Sequence, residues 1–401
     1  MVARVAEASG SGSKVQLQSD VPGFHTSLDY IPFDFGEDEE EEGVGASASS
    51  SVGPRIEESH GWDGANTSRG SSPGGRGKKR KREDVDKRAK RRELARGTPW
   101  CADVDFDQCR TVTDILHEEL AAFEQWISPS PKEHETRSMV IQLIRRAITS
   151  QWRDASVHSF GSQNTELYMP QGDIDLVVVS ASMENQRREG ALRNMAACLR
   201  RNNLATDVQV IAKAKVPIIK FVCTYGNFRV DISVNQTNGL EAADFVVSWL
   251  KKMPSLRPVI MATKLLLSQR GMSEVFSGGL GSFSVICMAI SHFQLHPKIQ
   301  RQEIDPSRNL GVLFLEFLEL YGKNFGYDRT GISIRGRGGY FDKQARGWLE
   351  PARPYMLAIE DPNDPSNNIC RGSFQILQVR SALGGAFDIL TSAMCERAHE
   401  M

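Results

Sequence analysis

The sequence lacks an excess of charge of either sign, a long apolar run and an N-terminal apolar segment. Its 401 residues carry 49 Lys and Arg against 50 Asp and Glu, a formal net charge of -1, so the molecule as a whole has no basic excess. The missing apolar segments disfavour a secreted or membrane-spanning protein. A chain of this length favours two or three domains with sizeable cores.

Cysteine is present but unpatterned. The seven cysteines are scattered along the chain and include no CxxC pair and no zinc-ligand spacing. Reduced thiols in an intracellular protein fit this distribution best.

The balanced net charge hides local clusters in the first 97 residues. This part is rich in Ser, Gly and charge, with little apolar periodicity, and predicts a disordered tail. Residues 37–42 are acidic, and residues 78–92 are densely basic in the split form of a nuclear-import signal, which could equally bind RNA phosphates. Residues 28–35 (LDYIPFDF) resemble a docking segment that orders on a partner; incidental aromatics in a solvated tail explain them equally well.

The stretch at residues 160–180, FGSQNTELYMPQGDIDLVVVS, organises the rest of the chain. Gly161 and Ser162 precede Asp173 and Asp175, which lead into a β-branched run typical of a buried strand. Carboxylates at i and i+2 on a strand share one face, and a divalent cation such as Mg²⁺ is their natural partner. Glycine allows close approach of a phosphate, and the Ser162 hydroxyl can donate to it.

Each part of this pattern also has an ordinary structural explanation. A Gly-Ser pair alone is usually a turn, and Asp-x-Asp alone is usually solvated surface; their ordered combination against a strand is more specific. Asp231 lies between Val230 and Ile232 in a later apolar strand and is a candidate third ligand. Without the other two aspartates, an outward-facing polar position would explain Asp231 better.

The order of predicted elements indicates an α+β protein. Residues 111–126 and 133–152 predict two helices, the second with Met139 on its apolar face and Arg137 on the opposite face. Strands and one helix follow up to about residue 235, and long helical patterns dominate after residue 239. No internal repeat is visible.

Several ordered segments resemble noncanonical poly(A) RNA polymerases, within the DNA polymerase β-like nucleotidyltransferase superfamily. They cover residues 98–393 and are similar above all to the nuclear type found in the exosome-assisting polyadenylation (TRAMP) complex. The segments are LHEELAAFEQWISP, FGSQNTELYMPQGDIDLVV, RPVIMATKLLLSQRG, VFSGGLGSFSVICMAISHFQLHP, NLGVLFLEFLELYGKNFGY and LAIEDPNDPSNNICRGSF.

This resemblance implies a division of the chain and a cleft. Residues 133–240 would form the nucleotidyltransferase catalytic domain with a mixed sheet. Residues 98–132 and 241–401 would form a mainly helical central domain, preceded by the tail at 1–97. The cleft between the two domains would hold the substrates.

The resemblance also implies roles for particular residues. Asp173, Asp175 and Asp231 would hold two Mg²⁺ ions, with Mn²⁺ as an alternative, and Gly161 and Ser162 would hold the triphosphate. The remaining contacts would be Asn238 to the ribose, Lys264 and Ser282 to the triphosphate, Phe283 stacked on the base, and Asp361 and Asn367 in the nucleotide-recognition motif. Phe283 departs from the family's tyrosine and lacks its hydroxyl. Relatives that select UTP commonly carry histidine at the position of Asn367.

Four of these positions have ordinary structural alternatives. Lys264 fits a snorkelling core lysine and Ser282 a helix N-cap. Asn238 fits a turn and Phe283 a core residue. For these four the functional interpretation depends on the resemblance.

The expected activity is addition of adenylates from ATP to RNA 3′ ends in the nucleus, including the nucleolus, marking RNAs for the exosome. The folded part shows no RRM or zinc knuckle, which predicts weak RNA binding alone. The implied partners are a zinc-knuckle RNA-binding protein and an RNA helicase. The alternatives are a uridylyltransferase or relaxed tailing enzyme, a small-molecule nucleotidyltransferase, and a catalytically silent RNA-decay scaffold.

Overall fold

The computed structural model describes residues 98–170, 172–184, 187–214 and 216–400. The predicted tail, with its docking segment and its acidic and basic clusters, lies outside these ranges. No helix in the described ranges is long and apolar enough to cross a membrane.

A five-stranded mixed sheet lies in the first half of the described chain. Its strands are β1 (Ser156–Ser159), β2 (Ile174–Val179), β3 (Ala205–Ile211), β4 (Ile218–Cys223) and β5 (Arg229–Val234). Their spatial order is β1-β2-β5-β4-β3. Only the central β2–β5 pair is parallel; the other pairs are antiparallel. The β-branched residues of β2 and β5 suit these central positions, where one face packs on the first hydrophobic core.

Helices cover this sheet and close the first hydrophobic core. They are α2 (Pro131–Gln151), α3 (Ser162–Thr165), α4 (Ala181–Glu184) and α5 (Arg188–Arg201). Ile144 and Ile148 of α2 and Met195 of α5 are fully buried with the apolar residues of β2 and β5. This core fixes the two strands that carry the predicted carboxylates.

The remaining elements are mainly helical and surround a second core. The helices are α1 (Val112–Ile127), α6 (Asn238–Lys252), α7 (Leu256–Gln269), α8 (Ser282–Leu295), α9 (Pro297–Gln300), α10 (Leu310–Glu319) and α11 (Ile376–Glu400). A three-stranded sheet of β6 (Thr330–Ser333), β7 (Gly339–Asp342) and β8 (Ala358–Ile359) lies among them, in the order β7-β6-β8. Helix α1 comes first in the chain but contributes Leu116, Leu120 and Phe123 to this second core. The α+β prediction is confirmed.

The sides of helix α2 differ from the sequence prediction. Met139, expected on the apolar face, is 58% exposed, whereas Arg137, expected on the polar face, is fully buried. The reason is that α2 packs a second side against the loop before β2. There the guanidinium of Arg137 lies between the rings of Tyr168 and Phe228, at 4.3 and 4.9 Å from their centroids.

Candidate active site

The predicted carboxylates converge at one end of β2 and β5, the parallel pair of the five-stranded sheet. Asp175 of β2 and Asp231 of β5 are register partners on adjacent parallel strands. Asp173 lies just before β2, two residues from Asp175. The strand pairing therefore places Asp231 beside Asp175, a proximity that the sequence order could only suggest.

Two basic side chains neutralise the outer carboxylates. Lys220 Nζ lies 2.7 Å from Asp231 Oδ2, and Arg229 Nε donates to Asp173 Oδ1 at 2.7 Å. The side chains of Lys220 and Arg229 are 44% and 63% exposed, so these pairs are partly solvated and individually weak. Both cations can therefore be exchanged for another positive charge at the carboxylates.

Among the three aspartates, Asp175 has the surroundings that most disfavour the charged carboxylate. Burial, followed by repulsion from Asp231 and Asp173, raises the pKa of Asp175 to about 7. Burial also raises the pKa of Asp231 despite the opposing ion pair with Lys220. Such a cluster of crowded carboxylates is destabilising without additional positive charge.

The chemistry of this donor set fits a divalent cation. Hard cations take carboxylate oxygens as ligands, and their charge offsets the repulsion that raises the pKa of Asp175. As the side chains stand in the described ranges, no group of three or more His, Cys, Asp or Glu side chains is arranged as a metal site. Asp173 and Asp231 face Arg229 and Lys220 instead, so binding a cation there requires those contacts to be exchanged.

The Gly161 turn lies directly against Asp175. Gly161 has φ 62° and ψ -136°, a backbone conformation essentially restricted to glycine, and begins helix α3. A Cβ at this position would lie 2.8 Å from Asp175 Oδ2. The backbone N–H of Phe160 also donates to the carbonyl of Asp175 at 3.1 Å. The predicted phosphate turn and the carboxylates therefore form one continuous site.

Lys264 reaches the same site from helix α7. Its Nζ donates to the carbonyl of Leu167, in the segment that follows α3. Burial lowers the pKa of Lys264 to about 8, against the opposing effect of the nearby Asp175. Lys264 is thus a partly buried cation near the carboxylates.

Asn238 lies exposed at the start of helix α6, close to the Gly161 turn. A Cβ on its neighbour Gly239 would lie 2.5 Å from the ring of Phe160, the residue before Gly161. The order β5, α6 therefore brings Asn238 to the side of the carboxylate site.

The remaining predicted residues form a second group, on the helical side. Ser282 is exposed at the start of α8, after the N-cap Gly281, and Phe283 packs partly buried on the second core. The Cys370 thiol donates to Ser284 Oγ at 3.3 Å and so ties the segment after β8 to the start of α8. In that segment Asn367 Nδ2 donates to Asp361 Oδ2 at 3.0 Å.

Three functional neighbours were not predicted from the sequence. Arg229 is two residues before Asp231 on β5, so the strand period alone could have identified it as sharing that face. Lys220 faces Asp231 only through the β4–β5 register, and Arg137 reaches the loop before Asp173 only through tertiary packing. No local sequence signal marks either of these two residues.

Family models match two parts of the chain. Residues 116–250 match the model described as "Poly(A) RNA polymerase, mitochondrial-like, central palm domain". Residues 309–367 match the model described as "Cid1 family poly A polymerase". With the mixed sheet and its three carboxylates, these matches define a nucleotidyltransferase-type polymerase core.

Two relatives and one solved structure indicate the family within this class. The poly(A) RNA polymerase CID14 of Cryptococcus neoformans is 46% identical over 334 residues, which is 83% of this chain and 42% of that protein. The inactive non-canonical poly(A) RNA polymerase protein Trf4-2 of Drosophila melanogaster is 35% identical over 297 residues, or 70% of this chain and 72% of that protein. A solved structure of the polymerase core of TRAMP, an RNA surveillance complex, has 43% identity and a TM-score of 0.69, covering 74% of this chain and 93% of that one.

The chain belongs to the noncanonical poly(A) RNA polymerase family. It spans about half the length of most of the curated relatives it matches, from 42% for the Cryptococcus protein to 53% for a fission yeast relative. The family resemblance expected from the sequence motifs is confirmed.

Proposed function

We propose that this protein adds adenylates from ATP to RNA 3′ ends by phosphoryl transfer. One observation supports this most directly: Asp173, Asp175 and Asp231 converge beside the Gly161 turn. Three carboxylates next to a turn that accepts a phosphate suit nucleotide transfer better than any other chemistry the site could perform.

The proposed metal ligands are these three aspartates. When bound, two Mg²⁺ ions, or Mn²⁺ in their place, would acidify the RNA 3′-hydroxyl and stabilise charge on the leaving phosphates. Asp173 and Asp175 would hold both ions, and Asp231 mainly the one nearest the nucleophile. Exchange of Lys220 and Arg229 for the ions would keep the carboxylates neutralised throughout.

The chain's own residues would orient the reaction. Gly161 and Ser162 would contact the triphosphate, and the missing Cβ at Gly161 lets this turn lie directly against the Asp175 carboxylate. In the reaction the 3′-oxygen bonds to the α-phosphorus while the bond from the α-phosphorus to the bridging oxygen breaks, releasing pyrophosphate. In this proposal Asp231 would help to accept the hydroxyl proton, and the Lys264 ammonium would stabilise the leaving phosphates.

The orientation of one amide supports the proposed preference for adenine. Because Asn367 Nδ2 donates to Asp361, the Oδ1 atom of Asn367 is its acceptor end. The adenine 6-amino group is a donor, whereas the corresponding O4 of uracil is an acceptor, so an Oδ1 atom that contacts the base would favour ATP. Phe283 would stack on the base, and Asn238 and Ser282 would contact the ribose and the triphosphate.

Two alternatives remain distinct from this proposal. A uridylyltransferase or relaxed tailing enzyme would share the carboxylates, and relatives that select UTP commonly carry histidine at the position of Asn367. The second alternative is a catalytically silent scaffold, and one of the relatives is described as inactive. The presence of all three aspartates in this chain favours catalysis over that role.

The cellular setting is also a proposal. The similarity to a TRAMP polymerase core supports action in nuclear RNA surveillance, with a zinc-knuckle protein and a helicase as partners and the exosome downstream. We further propose that the two hydrophobic cores correspond to the catalytic and central domains. Neutralising the basic residues of 78–92 in a fluorescent fusion, and observing whether nuclear accumulation is lost, tests the location.

The deciding experiment is a tailing assay on an unstructured RNA with each nucleoside triphosphate, with and without a zinc-knuckle partner. We expect ATP-dependent tails that lengthen with the partner, and none from the D173A/D175A double variant, which should still fold. The N367H variant should shift preference towards UTP by about tenfold. Metal-dependent tailing by the double variant, or equal use of ATP and UTP by the wild-type chain, would contradict the proposal.

A further inference from the structure

The segment that carries Asp361 and Asn367 is a closed loop. The backbone N–H of Asp361 donates to the Asn367 carbonyl at 3.0 Å, and their side chains are joined at 3.0 Å. Glu360 and Asn368, one residue further out on each side, form a β-bridge. The loop at 361–367 can therefore move as a unit, and its placement decides where the Asn367 amide lies.

Arg346 holds this loop at two points. Its Nη1 lies 2.5 Å from Glu360 Oε2, and its Nη2 donates to the Pro365 carbonyl at 3.0 Å. Glu360 is itself only 4% exposed, so its charge depends on a close partner. One guanidinium thus connects the base of the loop to its far side.

The guanidinium of Arg346 is fixed in turn by two aromatic rings. It lies 4.4 Å from the ring centroid of Phe341 and 4.7 Å from that of Trp348. These two rings pack edge to face at 5.4 Å. A planar fork held by aromatic rings presents its N–H groups to two acceptors in fixed directions, whereas a lysine ammonium on a flexible stem has no such fixed geometry.

We propose that Arg346 is a positioning residue that sets nucleotide preference by holding the 361–367 loop. This inference rests on the proposed function, because it requires Asp361 and Asn367 to contact the base. A displacement of the loop by about 1 Å is enough to weaken a hydrogen bond that discriminates between bases. Loss of the Pro365 contact should therefore reduce selection of ATP before it reduces catalysis.

Arg335 provides a matched control. It also faces Glu360, at 3.5 Å from Oε1, but it is 52% exposed and reaches the base of the loop rather than its far side. Changing Arg335 removes a basic neighbour of Glu360 while leaving the connection to Pro365 in place.

The test measures kcat/KM for ATP and for UTP on one RNA for the wild-type chain, R346K, R346M and R335M. R346K keeps a charge near Glu360 but lacks the fork, so the ATP to UTP ratio should fall by about tenfold, mainly through a higher KM for ATP. R346M should lower the ratio at least as far. R335M should keep the ratio within about twofold of wild type.

Three outcomes would overturn the inference. One is an unchanged ratio in R346K, including the case where both rates fall equally, since that would show only a structural role. Another is an equal fall in R335M. The third is a wild-type chain without ATP preference, which would overturn the proposed function as well and so is distinguishable from the first two. R346K is the deciding variant if R346M does not fold, as judged by its melting temperature.

Discussion

Asp175 and Asp231 stand opposite each other on two adjacent parallel strands, within a site that already contains Asp173. Because the folded state raises the pKa of Asp175 to about 7, folding favours its protonated form. The folded state thus binds more protons than the unfolded chain between pH 3.8 and about 7, so this group makes stability fall as pH rises through that window. At neutral pH the crowded carboxylates of the site therefore lower the free energy of unfolding.

The D175N variant should separate function from stability. Tailing should fall by at least about 1000-fold, because a proposed ligand of the metal ions is lost. The free energy of unfolding at pH 7.5 should be equal to or about 1 kcal/mol above that of wild type, since the crowded charge is removed. Urea unfolding at pH 7.5 and near pH 4 measures this, and the gain should shrink at the lower pH. A clearly less stable D175N at pH 7.5 would contradict the electrostatic interpretation.

The G161A variant tests the turn beside Asp175. An alanine there must adopt a strained conformation at φ 62° and place its Cβ 2.8 Å from Asp175 Oδ2. We expect a loss of about 1 to 3 kcal/mol in the free energy of unfolding and at least about 100-fold in tailing. The control is G190A in helix α5, where a Cβ meets nothing within 4 Å. G190A should keep full activity and gain up to about 1 kcal/mol; a G161A chain with wild-type tailing would refute the role of the turn.

Arg137 should stabilise the folded protein through its contact with the loop before Asp173. The side chain of Arg137 is fully buried; its Nη1 donates to the Gly172 carbonyl at 2.9 Å, and its Nε pairs at 3.1 Å with Glu133, which is 22% exposed. Replacing Arg137 by Met leaves these acceptors unsatisfied, and the free energy of unfolding should fall by about 3 to 5 kcal/mol. R146M, an exposed change on the same helix, should stay within about 0.5 kcal/mol. Chemical unfolding of both variants measures the two free energies of unfolding. Equal stability of the R137M and R146M variants would show that the contacts of Arg137 contribute little.

His292, a buried residue of helix α8, should make the free energy of unfolding fall at acidic pH. Burial, with a smaller contribution from His296, lowers the pKa of His292 from 6.5 to about 4. Between these values the unfolded chain binds a proton that the folded chain does not, so stability should fall as pH decreases from 6.5 to about 4, by at most about 3 kcal/mol.

The H292Q variant isolates this effect. Glutamine can still donate to the Leu313 carbonyl, which His292 Nε2 contacts at 3.1 Å, but it does not titrate. At pH 7.5 the variant should lose about 1 kcal/mol from altered packing, and its further loss towards pH 4 should be smaller than that of wild type. Parallel stability curves for the two chains between pH 7 and pH 4 would contradict the assignment.

Much of the site could be predicted where chemistry and local period coincide. Asp173 and Asp175 precede an apolar strand, and glycine at 161 and an aspartate between apolar neighbours at 231 are locally unusual. The errors lie on helix α2, where the period predicted a buried Met139 and an exposed Arg137. Periodicity finds an apolar stripe, but it cannot show that a loop covers the polar side of the helix.

The sequence by itself determined the α+β class, the family and the set of residues able to carry the chemistry, because motif spacing and hydrophobic period are local properties. Only the tertiary structure decided which charges meet. The β2–β5 and β4–β5 registers place Asp231 beside Asp175 and opposite Lys220, and the packing of the helical half places Arg346 on the 361–367 loop. These contacts join residues far apart in the chain, so they depend on strand register and on core packing, which no local pattern specifies.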